Sequence, residues 1–184
     1  MKKITLTAIL ALTTLVSSAA DYVSMDADYT KDNVDGKISI AQYVRAGKEI
    51  NGIQYGLQSR TARYTDGTTG LVNNFEVTAG KNIGMFTPYV GIGYTNGLNG
   101  LSNKQYTHGI VGAHVANKMG PGVALAGVRT RVNYETSVTT KDQTVVYATY
   151  MIPVVKNVAL NVNYSKSYQD IQENAYGLGL SFGF

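Results

Sequence analysis

The sequence predicts an all-β fold: a transmembrane antiparallel up-and-down β-barrel of about ten strands, with eight as the alternative, preceded by a cleavable signal peptide. Three observations predict this fold. Apolar residues alternate with small or polar residues along most of the chain, an export signal begins it, and tight connections alternate with longer, more polar ones. Alternation is typical of strands with two different faces, and the asymmetry of the connections is typical of membrane barrels.

The first segment, 1–20, has the order of a secretory signal peptide. Two lysines follow Met1, the stretch from Ile4 to Val16 is apolar with scattered Thr, and Ser17 to Ala20 are small. The apolar stretch is shorter than the roughly 20 residues that span a bilayer as a helix, which favours cleavage over a retained anchor. We expect cleavage after Ala20, which leaves 21–184 as one β-barrel domain. Loss of the two lysines lowers the formal charge of +4 to about +2, so the charge does not indicate an acidic partner.

The C-terminal segment shows the alternation most clearly. Large apolar residues, Tyr176, Leu178, Leu180, Phe182 and Phe184, alternate there with Gly and Ser. A strand sends these two sets to opposite faces. Segments of this kind cover about nine to eleven residues each, which is the length of a tilted transmembrane strand. We place the strands near 21–30, 37–46, 52–63, 71–81, 84–95, 105–117, 122–135, 143–154, 157–167 and 175–184.

The predicted connections alternate in length. The longer ones run from Lys31 to Gly36, Tyr64 to Gly70, Asn96 to Asn103, Thr136 to Asp142 and Lys166 to Asn174. The tight ones lie at Gly47 to Asn51, Lys81 to Ile83, Lys118 to Pro121 and Val155–Lys156. Short turns on one side and longer loops on the other are typical of bacterial outer-membrane barrels. An even strand count returns both termini to one side, and eight strands would leave connections longer than the turn signals support.

The composition excludes several classes of protein. Charged residues make up 15 % of the chain, against about 25 % in soluble domains. The absence of Cys excludes a disulfide scaffold, a Cys-ligated zinc site, a thiol nucleophile and a lipid-anchored N-terminus. A soluble β-sandwich is the alternative fold, because its strands also alternate. Its wet face would carry charges, whereas the second face here is mostly Gly, Ala, Ser, Thr and Asn, which suits a narrow enclosed lumen.

The last strand carries a resemblance. Gly179, Phe182 and Phe184 are similar to the terminal signal of small outer-membrane β-barrels of Gram-negative bacteria, where a Gly, two residues, an aromatic, any residue and an aromatic end the chain. The mature chain resembles this superfamily in the size class of outer-membrane protein X and the barrel of outer-membrane protein A. The resemblance implies location in the cell outer membrane, contact with outer-membrane lipid and periplasmic chaperones, and recognition of the last strand by the barrel-assembly machinery. It identifies no single family.

Charged residues inside the predicted strands share the face opposite the apolar set. Under one register they point into the lumen and avoid the roughly 2–4 kcal/mol that an Arg or Lys costs when it faces lipid near the midplane. They are Asp26, Asp28, Arg45, Arg60, Glu76, Arg129, Arg131 and Glu135. They could form a gate for ions; we favour a self-neutralising plug, because barrels near eight strands have interiors just filled by side chains. Gln42 would face lipid, and we predict a β-bulge in the second strand that turns it away.

Catalysis is weakly indicated. His108 and His114 share the lumenal parity, and we expect each to be a hydrogen-bonded lumen residue. Neither has an acid two residues away, as the outer-membrane proteases need, and the chain contains no His-x-Ser. We therefore predict no catalytic residue, no cofactor and no metal site.

Tyrosines and basic residues indicate a membrane surface rather than nucleic acid. Lys and Arg are dispersed or lumenal instead of forming a stripe, so we expect no nucleic-acid partner. Several tyrosines lie near strand ends, where an amphipathic ring matches the membrane–water interface. They are Tyr29, Tyr94, Tyr134, Tyr164 and Tyr176.

Three function classes follow from this fold. We expect a structural or surface-interaction role for an integral outer-membrane β-barrel with a narrow polar lumen, and not an enzyme. A narrow porin-like channel for small solutes or ions is the alternative, and an outer-membrane hydrolase ranks last. The predicted outer loops are short, which weakens a dedicated adhesin role.

Overall fold

The structure is a computed structural model that describes residues 21–33, 36–65, 71–99, 102–134, 143–169 and 172–183. The predicted signal peptide 1–20, Glu135 and Phe184 lie outside the described residues. Within that described part, no helix is long and apolar enough to cross a membrane. The strands are β1 (Tyr22–Asp32), β2 (Ile38–Ile50), β3 (Ile53–Tyr64), β4 (Leu71–Lys81), β5 (Phe86–Asn99), β6 (Ser102–Met119), β7 (Gly122–Asn133), β8 (Gln143–Val155), β9 (Val158–Gln169) and β10 (Glu173–Gly183).

The strands form a closed antiparallel barrel in which each strand pairs with its neighbours in sequence. β1 and β10 complete it, in register from Tyr22 opposite Gly183 to Asp32 opposite Glu173. Closure leaves no unpaired edge, so every strand satisfies its backbone hydrogen bonds on both sides. The predicted fold class, a closed antiparallel barrel, is confirmed, with ten strands rather than eight.

The two ends of the barrel differ. Tyr22, where β1 begins, and Gly183, where β10 ends, lie at the same end of the barrel as the short turns that follow β2, β4, β6 and β8. We call this end of the barrel the turn end. The turn after β2 is Asn51–Gly52, whose φ angles of 53° and 74° are both positive. A two-residue turn with positive φ at both positions matches the right-handed twist of the strands it joins. The opposite end, where the connections after β1, β3, β5, β7 and β9 lie, is the loop end.

Three predicted connections are wrong. The one predicted from Lys166 to Asn174 is largely strand, because β9 continues to Gln169 and β10 begins at Glu173. The tight turn predicted from Gly47 to Asn51 is shorter, because β2 continues to Ile50 and Gly47 pairs with Tyr22 and Gly56. Gly47 serves packing instead of a turn: the ring of Tyr22 lies where its Cβ would be. The connection predicted over Asn96 to Asn103 is largely strand, because β5 and β6 pair up to Asn99 opposite Ser102.

The predicted bulge at Gln42 is also wrong. β2 pairs with β1 and β3 without a register shift, and Gln42 is exposed on the outer face. The register places Gln42 at one end of an outward row of polar side chains on neighbouring strands. The row is Gln42, Thr61, Asn73, Asn96 and Gln105. Within it the Thr61 hydroxyl donates a 3.0 Å hydrogen bond to Asn73 Oδ1. Polar neighbours on the same face accommodate Gln42 without rotation of the strand.

The distribution of polarity is the reverse of that in a soluble protein. Large apolar side chains are exposed on the outer face, with Val90 and Leu178 each 61 % exposed. Carboxylates and His108 are buried in the lumen. The tyrosines predicted to form a girdle are all exposed on the outside, and Tyr29, Tyr176 and Tyr164 stand side by side on β1, β10 and β9. The buried residues of this molecule are therefore largely polar, and most of them lie in its lumen.

Candidate functional site: the lumenal charge belt

Asp26 on β1 organises one side of the lumen. Its Oδ1 accepts hydrogen bonds from the side-chain amides of Asn161 and Asn163, both at 3.0 Å. Its Oδ2 accepts a 3.2 Å bond from the Ser24 hydroxyl and forms an ion pair with Arg45 Nη1. Asp26 is 5 % exposed, and these donors replace the water that a buried carboxylate would otherwise lack.

Glu76 on β4 organises the other side. Its Oε2 accepts from Arg129 Nη1 at 3.0 Å, and its Oε1 accepts from Arg131 Nε at 2.6 Å. Arg131 in turn donates from Nη1 to Gln143 Oε1 at 2.5 Å. Glu76 is 2 % exposed. Both arginines belong to β7, which is three strands away around the wall, so these ion pairs reach across the lumen.

Gln58 on β3 joins the two sides. Its Oε1 accepts a 3.0 Å hydrogen bond from Arg45 Nε, and its Nε2 donates a 3.0 Å bond to Glu76 Oε2. The result is one continuous hydrogen-bonded chain of side chains across the lumen, which we call the charge belt. The charge belt consists of Asp26, Arg45, Gln58, Glu76, Arg129 and Arg131.

Glycines make the room that the charge belt needs. A Cβ at Gly179 of β10 would collide with the Asp26 carboxylate, and one at Gly177 would collide with that of Asp28. A Cβ at Gly93 of β5 would collide with the His108 ring and lie 3.0 Å from Glu76 Cγ. Long side chains from one strand thus lie over glycines of the next. This packing explains why Gly is frequent on the lumenal face.

Asp28 and Arg60 lie beside the charge belt without joining its hydrogen bonds. Asp28 Oδ1 is buried and has no hydrogen-bond partner. Arg60 Nε donates to the Tyr43 hydroxyl at 3.0 Å. The Tyr43 ring also lies under Arg45, with the guanidinium carbon 4.3 Å from the ring centroid. A charged plane over an aromatic face is favourable, so Tyr43 connects the two arginines.

A cavity of about 810 Å³ fills the turn-end half of the lumen. The charge belt forms its inner boundary through Asp26, Arg45, Glu76 and Arg129, and Asp21 and Glu49 line its mouth. A hydrogen bond of 3.1 Å between the hydroxyls of Tyr89 and Tyr147, on β5 and β8, crosses the same region. The lumen is therefore roomy toward the turn end and narrowed at the charge belt.

The two histidines both point inward, with different surroundings. His108 is fully buried, with Nε2 3.5 Å from Glu76 Oε1, yet neither ring nitrogen makes a hydrogen bond. The predicted hydrogen bond of His108 is therefore wrong. His114 lines the cavity, and its ring centroid is 5.8 Å from that of Tyr89. Among the described residues, no three His, Asp or Glu side chains gather in a way that could hold a metal ion.

The structure brings together five of the charged residues predicted for the lumen, Asp26, Arg45, Glu76, Arg129 and Arg131, and sets Asp28 and Arg60 beside them. Sequence reasoning missed the neutral members of the network, Gln58, Asn161 and Asn163. Their inward parity was visible, but nothing in a single strand marks which carboxylate they reach. The cross-lumen contact of Tyr89 with Tyr147 carried no sequence signal.

This chain is similar in fold to solved structures of bacterial β-barrel proteins, at low sequence identity. The translocator domain of the autotransporter NalP from Neisseria meningitidis has a TM-score of 0.50 at 13 % identity, covering 93 % of each chain. Neisserial surface protein A has a TM-score of 0.48 at 15 % identity, covering 89 % of this chain and 96 % of that one. The N-terminal β-barrel domain of Pseudomonas aeruginosa OprF has a TM-score of 0.37 at 12 % identity, over 90 % and 98 % of the two chains. No protein-family model and no curated protein sequence matches the chain.

Proposed function

We propose that the protein is an integral outer-membrane β-barrel whose lumen is closed by the charge belt, so that it acts as a structural or surface-interaction protein and not as a conduit. The observation that carries the proposal is the pair of cross-lumen contacts from Glu76 to Arg129 and Arg131, at 3.0 and 2.6 Å. The hydrogen bonds among the charged groups hold their side chains across the lumen, although Arg129 Nε has no hydrogen-bond partner among the described residues.

The outer face supports the membrane location. A band of exposed Val, Leu, Ile and Phe would be a severe liability in water and is the expected surface of a strand that faces lipid. The row of Tyr29, Tyr176 and Tyr164 lies toward the loop end of that band, where an interfacial girdle belongs. We expect the protein to fractionate with outer membranes and to migrate faster on a denaturing gel before heating than after. A chain that stays in the soluble periplasm and shows no such shift would refute the location.

Conductance tests the closed lumen. We expect the wild-type barrel, refolded and inserted into a planar bilayer, to show no steady openings. Glu76→Gln removes the charge that holds Arg129 and Arg131, so we expect it to show intermittent openings. Thr144→Val is the matched control, because Thr144 bonds Thr130 on the outer face and should leave the lumen silent. Steady wild-type openings that disappear on replacement of Arg129 or Arg131 would contradict closure.

A narrow channel is the second candidate function, favoured by the cavity of about 810 Å³ at the turn end. The charge belt has three guanidinium groups, on Arg45, Arg129 and Arg131, against the carboxylates of Asp26 and Glu76. A constriction with an excess of fixed positive charge favours anions. If the wild type does conduct, a reversal potential that indicates anion preference would support this second function.

The last strand supports assembly by the barrel-assembly machinery, after delivery by periplasmic chaperones. Phe182 has the parity of the outer face and pairs with Val23 and Val158, while Gly179 lies against Asp26 inside. The Phe182 side chain can therefore contact the assembly machinery from the outer face of β10 before β1 and β10 pair. Hydrolysis is the least supported of the three functions. His108 is fully buried, and the ring that lies beside His114 is that of Tyr89, which is not a carboxylate that could orient a catalytic histidine.

A further inference from the structure

The charged side chains of the barrel wall are sorted by sign. Within the strands that the structure describes, every carboxylate has the parity of the lumen, whereas the charged side chains with the parity of the outer face are all cations. The carboxylates are Asp26, Asp28, Asp32, Glu49, Glu76 and Glu173. The outer-face cations are Lys31, Lys48, Arg63, Lys81 and Lys166. Lipid tails give a cation no partner, so the sorting indicates an anionic partner at the edges of the apolar band.

Two of these cations form a compact group at the loop end. Lys31 of β1 and Lys166 of β9 lie in one cross-strand row on either side of Asn174 of β10. Adjacent strands are about 4.8 Å apart, so the two lysine backbones are about 10 Å apart and both side chains are long enough to reach one point above Asn174. Lys166 Nζ lies 5.2 Å from the centroid of the Tyr168 ring and would leave that ring to reach a ligand there. The carboxylates of the same end, Asp32 and Glu173, have the opposite parity and face the lumen.

The surroundings of this row position it at a membrane interface. The next outward row toward the turn end consists of Tyr29, Tyr176 and Tyr164. The Tyr164 and Tyr176 rings are in contact, with centroids 5.2 Å apart, and the Tyr164 hydroxyl lies 3.5 Å from Asn174 Oδ1. Asn174 Nδ2 donates to Asn33 Oδ1 at 3.0 Å, which orients the amide. A plane of aromatic rings capped by cations is the arrangement that meets lipid headgroups.

We infer that Lys31, Asn174 and Lys166 form a binding site for the phosphate of an outer-leaflet lipid headgroup, whose acyl chains lie along the apolar strand face below the tyrosines. The inference rests on the proposed membrane location, with the short turns facing the periplasm and the loop end facing the exterior, as in bacterial outer-membrane barrels. Lysine is a compact point charge that suits a phosphate, and two of them flanking an amide supply several donors to its oxygens.

The test uses the refolded full-length barrel in neutral detergent micelles, titrated with lipid A, with dephosphorylated lipid A, and with inorganic phosphate. We expect lipid A to bind in a salt-sensitive manner and the other two not to bind measurably. The double variant Lys31→Gln, Lys166→Gln should bind lipid A more weakly by about fivefold for each lysine, hence about 25-fold.

The matched control is Lys48→Gln, Lys81→Gln, which removes the same outward charge from the turn end. Lys48 and Lys81 lie opposite Tyr55 and Ile53, in different rows and without an amide between them. The control should bind lipid A as the wild type does, and Lys31→Arg, Lys166→Arg should retain most of the affinity. Equal loss in both glutamine pairs, equal binding of the dephosphorylated lipid, or binding of inorganic phosphate alone would each overturn the site. A retained heat-dependent gel shift shows that a variant is folded, and the fractionation test judges the membrane location separately.

Discussion

Gly179 occupies a position on β10 where only a hydrogen atom fits. A methyl group there would overlap both the Asp26 carboxylate and the Met25 carbonyl oxygen. We expect Gly179→Ala to lower the free energy of unfolding by about 1–3 kcal/mol, the usual cost of overpacking. Urea titration of the barrel folded in lipid vesicles measures it.

Gly183→Ala is the control, because it lies on the same strand with no atom within 4 Å of the added methyl. It should change stability by less than about 0.5 kcal/mol. Equal effects of the two substitutions would show that Gly179 is not shaped by the Asp26 carboxylate.

The sequence predicts which face of the barrel a single side chain occupies, but not which residues it contacts. Parity along one strand assigns Asp26, Glu76 and Arg129 to the lumen, and the structure places them there. Parity alone does not show that Glu76 contacts arginines three strands away. That contact depends on closure of the barrel and on the stagger of every strand pair between β4 and β7. His108 shows the limit: its parity is correct, yet its ring nitrogens lack the expected hydrogen bonds.

At the scale of elements, the polar row on the outer face of β2 to β6 makes a prediction. Gln42 on β2 and Val77 on β4 both point outward, but Gln42 lies opposite Thr61, whereas Val77 lies between Leu57 and Ile92. We expect Val77→Gln to cost about 1–3 kcal/mol, because it puts an amide among apolar neighbours. Gln42→Val should be neutral or stabilising. The free energy of unfolding in lipid vesicles measures both effects. A larger loss of stability for Gln42→Val than for the other substitution would mean that a specific hydrogen bond holds Gln42.

Strand boundaries were predicted to within about two residues at most turns and poorly where a glycine has another use. The connection predicted at Val155–Lys156 lies one residue further along, at Lys156–Asn157, whereas Gly52, predicted as strand, belongs to the two-residue turn Asn51–Gly52. Gly47 looked like a turn residue and instead lies under the Tyr22 ring. The polar stretch from Asn96 to Asn103 looked like a loop, yet hairpin pairing with a neighbour stabilises extended backbone in polar sequence as well as in apolar sequence.

At the scale of the molecule, closure turns separate inward side chains into one polar network. Asp26 on β1 and Glu76 on β4 belong to different ion pairs, but Arg45 and Gln58 connect them by hydrogen bonds of 3.0 Å from Arg45 Nε to Gln58 and from Gln58 to Glu76. A few long side chains that lie over glycines therefore cross the lumen at the charge belt, where a soluble protein would have an apolar core. Such a network is expected to respond to substitution as a unit.

A double-mutant cycle on the charge belt tests that unity. Glu76→Gln should lower stability by about 3–5 kcal/mol, because it leaves two largely buried guanidinium groups without their carboxylate. Asp26→Asn should lower it by about 1–3 kcal/mol, because the Arg45 side chain is 31 % exposed. Arg45 and Gln58 link the two carboxylates, so loss of either carboxylate already disturbs the hydrogen bonds of the other, and the double variant should cost less than the sum, by about 0.5–3 kcal/mol. Asp26→Asn combined with Thr130→Val, whose partner Thr144 is on the outer face, should be additive within about 0.5 kcal/mol. Additivity in both cycles, measured by urea unfolding in vesicles, would mean that the lumen holds two independent ion-pair clusters and that Gln58 transmits nothing between them.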